Sequence, residues 1–120
     1  MQVIIQILIG LVAVAHLYFL YFEMFQWEKI GKKIFRAPVE NYFSMTRPMM
    51  ANQGIYNGFL AAGLIWSLFI QNEYWSEQVS IFFLSCVVIA AIVGAMTVSK
   101  RIFYFQGLPA LLALILLVLF

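Results

Sequence analysis

Charge is nearly absent from this sequence. Its 12 acidic and basic residues make up 10% of the 120 and fall in three stretches, Glu23–Arg47, Glu73–Glu77 and Lys100–Arg101. Those stretches hold 32 residues, and the other 88 carry no charge at all. Ordinary soluble domains run at about 25% charged and about 45–50% apolar. Here 65% of residues are hydrophobic and the mean hydropathy is +0.97. A secreted, cytosolic or nucleic-acid-binding domain is excluded on those grounds. Cysteine is scarce too. Cys86 stands alone in an apolar run, which excludes an internal disulfide and reads as a packing thiol. There is no internal repeat, phosphate loop or nucleic-acid motif.

What is there is four uncharged runs, Met1–Phe22, Pro48–Asn72, Gln78–Ser99 and Ile102–Phe120, of 22, 25, 22 and 19 residues. About 20 helical residues at 1.5 Å each cross the hydrocarbon core. None of the runs alternates polar with apolar residues, as barrel strands do. The expectation is an all-α membrane protein: one four-transmembrane-helix domain over residues 1–120 with spans near 2–25, 48–71, 78–99 and 102–120. All seven Lys and Arg lie in the first or third loop, whereas the second holds only Glu73 and Glu77. That bias puts both basic loops in the cytoplasm and the N-terminus and C-terminus outside. The expected location is the bacterial cytoplasmic membrane, multi-pass. Ala13-Val14-Ala15 imitates a signal-peptidase site, but no basic segment precedes it and the apolar run continues, so the first segment is expected to stay as a span.

The first loop, residues 26–47, carries a pattern of its own. Lys29, Lys32, Lys33 and Arg36 are spaced i, i+3, i+4, i+7 on one helical face, with Trp27, Ile30 and Ile34 on the other. This predicts an amphipathic interfacial helix, its cations towards anionic inner-leaflet lipids and Pro38 ending it. Trp27 is expected as an inner-interface anchor. Thr46 is the expected N-cap of the second span, with Pro48 in its first turn.

Polar residues inside spans need a partner or a purpose. His16 and Glu23 are seven residues apart on one face of the first span, about 10 Å along its axis. The second span opens with Asn52, Gln53, Tyr56 and Asn57, in which Gln53 with Asn57 and Asn52 with Tyr56 are i, i+4 pairs. Gln106 enters from the fourth span beside Gly107 and Pro109, where the proline removes a bond to the Phe105 carbonyl and should bend the helix. All these groups sit in the cytoplasmic half of the bilayer, which predicts a polar inner-leaflet pocket beneath an apolar plug. Gly54, Gly58 and Ala62, and the pairs Ala91/Ala95 and Ala90/Gly94, form small-xxx-small seams for close helix approach or for a homo-oligomer.

His16-Leu17-Tyr18-Phe19, Glu23-Met24-Phe25 with Trp27, the block Ala51-Asn52-Gln53-Gly54-Ile55-Tyr56-Asn57-Gly58, and Gln106-Gly107-Leu108-Pro109-Ala110 resemble the bacterial membrane family catalogued as domain of unknown function thirteen-hundred-and-four. The likeness runs over essentially the whole chain. It implies a small four-helix integral membrane protein without assigned biochemistry. Small multidrug-resistance exporters are a weaker likeness, because the loop bias here forbids dual insertion and Glu23 lies at the membrane edge. The membrane-associated eicosanoid and glutathione enzymes share the expected topology, but the acidic residue of their second-helix signature would fall on Ile55.

Three readings of the polar residues follow. In the first, His16, Glu23, Asn52, Gln53, Tyr56, Asn57 and Gln106 bind a small amphipathic molecule of lipid-headgroup or quinone type. In the second, the protein is an enzyme on a lipophilic substrate with His16 as acid or base and Glu23 assisting. In the third, it is a structural or regulatory subunit, the amides being interhelical glue. No cofactor is specified, and one His with one carboxylate falls short of the three protein ligands of a catalytic zinc site.

Overall fold

The computed structural model describes residues 1–120 and is helical almost throughout, with no strand. Helix α1 is Gln2–Phe25, α2 is Trp27–Ile34, α3 is Tyr42–Phe69 and α4 is Glu73–Thr97. Helix α5, Lys100–Leu119, contains a π-helical turn at Phe103–Gly107. Three helices, α1, α4 and α5, are long and apolar enough to cross a membrane. Helix α3 is the longest at 28 residues, about 42 Å at 1.5 Å per residue. It falls short in apolarity because Asn52, Gln53 and Asn57 interrupt its hydrophobic sequence.

The helix starts differ from those expected. Helix α3 begins at Tyr42, ahead of the Arg47-Pro48 step, so Thr46 is not a cap. Its hydroxyl donates instead to the Tyr42 carbonyl at 2.7 Å, inside the helix. Pro48 therefore interrupts the ladder at the Ser44 carbonyl, on an exposed turn where water can replace the lost bond. Helix α4 begins at Glu73, before the expected 78, because Asn72 caps it by accepting the Trp75 N–H at 3.1 Å. Glu73 thus stands in the first turn, where a negative charge suits the helix dipole. In α5 the proline is accommodated one turn early: the Leu108 N–H reaches back five residues to the Phe103 carbonyl, shifting the ladder just before Pro109.

The chain packs as two compact units, residues 16–59 and residues 1–15 with 60–120. The larger unit has an apolar core to which Ile5, Ile9 and Val12 of α1, Leu64 of α3, Leu84 and Val87 of α4, and Ala110, Ala113 and Leu117 of α5 contribute. Small residues set its spacing. A Cβ on Gly107 would lie 2.9 Å from that of Ala91, so the α4 seam residue Ala91 is a packing contact for α5. At the α3–α4 end, Ser76 donates to the Ser67 carbonyl at 2.7 Å, and Ser67 itself donates to Leu64 at 2.6 Å.

Gly63 faces the ring of Phe83 so closely that a Cβ there would overlap it, whereas nothing lies within 4 Å of a Cβ built on Gly10. Overpacking of this kind costs about 1–3 kcal/mol. Gly63→Ala is therefore expected to lower the melting temperature in detergent, with Gly10→Ala leaving it unchanged or raised. Equal melting temperatures for the two variants would contradict the α3–α4 packing.

Candidate functional site

The 16–59 unit holds the end of α1, all of α2 and the first part of α3. Its polar centre is Glu23, buried two residues before the end of α1. Two α3 side chains meet it. Gln53 donates its Nε2 to Oε2 at 2.6 Å, and Asn57 donates its Nδ2 to Oε1 at 2.5 Å. The i, i+4 spacing of the two amides places them on one α3 face, one turn apart, so that each reaches a different oxygen.

Glycine makes that reach possible. A Cβ on Gly54 would lie 2.7 Å from Met24 Cγ, 3.2 Å from Glu23 Cβ and 3.2 Å from the Leu20 carbonyl. One turn on, a Cβ on Gly58 would collide with Leu20. The Gly54/Gly58 seam is therefore where α3 lies against α1, and the flanking amides are carried to within hydrogen-bond distance of the carboxylate. A carboxylate has about four acceptor positions, and two short amide bonds occupy one on each oxygen.

The second i, i+4 pair is turned elsewhere. Asn52 donates its Nδ2 to the Tyr56 hydroxyl at 3.1 Å, and both side chains are exposed. His16 is fully buried, with its ring edge-on to Phe19 at 5.2 Å between centroids. Gln106 is half-buried within the π-helical turn of α5 and belongs to the larger unit. The structure thus brings Glu23, Gln53 and Asn57 into one hydrogen-bonded cluster and sets Asn52 with Tyr56 beside it on α3. Every buried side-chain nitrogen and oxygen has a partner.

Residues 10–118 match the family model described as a protein of unknown function, DUF1304. The chain belongs to that family. It is similar to the uncharacterized protein YpaA of Lactococcus lactis subsp. lactis (strain IL1403), with 34% identity over 117 residues that cover 96% of this chain and 97% of that protein. No solved structure matches. The matched stretch includes His16, Glu23, the Asn52–Asn57 block and Gln106.

Around α2 the structure departs from the expected interfacial helix. Trp27 is turned inward rather than out to the interface. Its ring packs with Phe22, Phe35, Tyr42 and Phe43 at centroid distances of 5.3–6.5 Å, and its Nε1 donates to Thr46 Oγ1 at 2.9 Å. Lys29, Lys32 and Lys33 are exposed on α2, as the amphipathic pattern requires, but the helix stops at Ile34, where Phe35 turns extended, so Arg36, also exposed, lies beyond its end and before the expected stop at Pro38. An exposed ion pair, Glu28 with Arg47 at 3.6 Å, also links α2 to α3, though surface pairs of this kind contribute little, about 0–1 kcal/mol. An open cleft of about 710 Å³ runs along the turn between these helices, lined by residues from Lys32 to Ser44. The sequence carried a signal for it in Phe35, Val39 and Phe43, apolar residues at four-residue intervals between charged ones.

Hydrogen bonds between helices inside membranes are worth about 0.6–2 kcal/mol each. A double-mutant cycle between Glu23→Ala and Asn57→Ala, measured by unfolding in detergent, is expected to show coupling of about that size. The matching cycle of Glu23→Ala with Asn52→Ala should show none. Coupling to Asn52 equal to that with Asn57 would contradict the cluster.

Proposed function

We propose that this is a four-span protein of the bacterial cytoplasmic membrane, with both termini outside and its basic loops inside, that binds a small amphipathic molecule on the cytoplasmic half of α1 and α3. The fourth span is α3: it is long enough, and its Ala61 and Leu64 are buried as completely as the core residues of α1, α4 and α5. The seven-to-none split of Lys and Arg supports the orientation.

The observation that carries the binding reading is the exposed Asn52–Tyr56 pair beside the Glu23 cluster. Interhelical glue accounts for Gln53 and Asn57, which bond across to α1. It does not account for Asn52 and Tyr56, which bond to each other within α3 and are exposed. Their shared bond leaves the Tyr56 hydroxyl proton and the Asn52 amide oxygen for a partner. A molecule of lipid-headgroup or quinone type would take those two contacts with its polar end and lay its apolar part along Phe59, whose exposed ring neighbours that of Tyr56 at 6.3 Å. An acid/base role for His16 assisted by Glu23 has less support, because both Glu23 oxygens already accept amide bonds. The structural-subunit reading is favoured by the close Gly54 and Gly58 seam.

Native mass spectrometry and lipid analysis of the protein extracted in mild detergent separate these readings. The natural sequence is expected to retain a small molecule that Asn52→Ala/Tyr56→Phe loses at an unchanged melting temperature. If no retained molecule depends on that pair, the binding reading fails. A lowered melting temperature as the sole effect of the variant would favour the structural one.

A further inference from the structure

The cleft between α2 and α3 is a second candidate site, separate from the Glu23 cluster and independent of whether that cluster holds a ligand. Four observations define it. Its volume of about 710 Å³ falls in the range of small-molecule sites, about 300–1,000 Å³. Two of its lining residues are cations, Lys32 on the last turn of α2 and Arg36 in the extended segment just beyond it, against one carboxylate, Glu40. Ile34, Phe35 and Val39 line the same cleft as large apolar side chains that remain exposed, at 61%, 49% and 58%. The far wall is fixed: Asn41 adopts a left-handed conformation with φ of 62°, and its carbonyl accepts from both the Ser44 hydroxyl at 3.1 Å and the Met45 N–H at 2.9 Å.

Exposed aliphatic and aromatic side chains interleaved with cations suit a surface where headgroups meet acyl chains. The cleft lies close in sequence to the end of α1, one of the three helices apolar enough to cross a membrane, which puts it at the bilayer boundary. We infer that it binds the phosphodiester headgroup of a single anionic phospholipid, with Lys32 and Arg36 on the phosphate and Ile34, Phe35 and Val39 against the acyl chains. Arginine suits this role because its planar fork gives two parallel N–H bonds to phosphate oxygens. Glu40 faces the same space and opposes a second phosphate. The site therefore differs from the general attraction of a basic helix for an acidic surface, in which Lys29 and Lys33 would count as much as Lys32 and Arg36.

That difference is the test. The full-length protein is titrated in detergent with phosphatidylglycerol or phosphatidylcholine, and bound lipid is counted by native mass spectrometry. One tightly retained phosphatidylglycerol is expected. Lys32→Gln/Arg36→Gln should weaken it at least about tenfold more than Lys29→Gln/Lys33→Gln, a pair with the same change in charge a few residues away in the chain. The charge-keeping variant Lys32→Arg, which leaves the Arg36 fork in place, should retain the lipid, and it reports on the site even if the glutamine pair disturbs the fold. Excess inorganic phosphate should not displace the lipid. Equal weakening by the two glutamine pairs would overturn the site in favour of diffuse attraction. Equal retention of phosphatidylcholine, loss in the charge-keeping variant, or displacement by phosphate would overturn it as well.

Discussion

A carboxylate buried between helices has to be satisfied by the protein itself, and the 16–59 unit is organised around that demand. Glu23 cannot leave its two oxygens unbonded away from water without a cost of several kcal/mol, comparable to that of other buried unpaired polar groups. Its amide donors must come from a neighbouring helix, because its own backbone N–H groups are used in α1. For Gln53 and Asn57 to arrive, the α3 backbone must approach α1 closely, and Gly54 and Gly58 allow it. Carboxylate, amides and glycines are thus one device spread over two helices. A Cβ at Gly54 would push away the donors on either side of it, and apolar replacements of the donors would leave the carboxylate uncompensated.

A second lock lies on the loop side of the same unit. Trp27 opens α2, and its indole N–H ties it to Thr46 while Phe43 and Tyr42 cover its ring. Thr46 accepts that bond while its own hydroxyl donates to the Tyr42 carbonyl, one turn earlier in α3, which orients the hydroxyl towards α2. The early helix start, the inward tryptophan and the cleft of residues 32–44 are therefore linked.

Much of this was legible in the sequence, and for physical reasons. Helical spans are read from the length of uncharged runs, because bilayer thickness sets that length. The spacing of Gln53 with Asn57 and of Asn52 with Tyr56 fixed which amides share a face, and the observed bonds follow those pairs. What spacing does not hold is the identity of the partner across the helix pair. Glu23 had nearby cations in sequence, yet its bonds come from residues 30 and 34 positions away. The helix starts lie earlier than expected at Tyr42 and at Glu73: at Glu73 a charged first turn looks the same as a loop in composition, and at Tyr42 the Arg47-Pro48 step, which reads as a helix start, falls inside the helix. Trp27 shows a similar ambiguity: an amphipathic indole at a membrane edge serves equally as an interface anchor or as the centre of a local core.

The central claim is that one carboxylate joins α1 to α3 through two particular amides. Solid-state NMR on the protein in lipid bilayers tests it most directly, by dipolar recoupling between the Glu23 carboxyl carbon and the side-chain amide nitrogens of labelled Asn and Gln. Strong couplings to the nitrogens of Gln53 and Asn57, with none to that of Asn52, are the predicted result. Couplings to Gln53 and Asn57 as weak as that to Asn52 would contradict it.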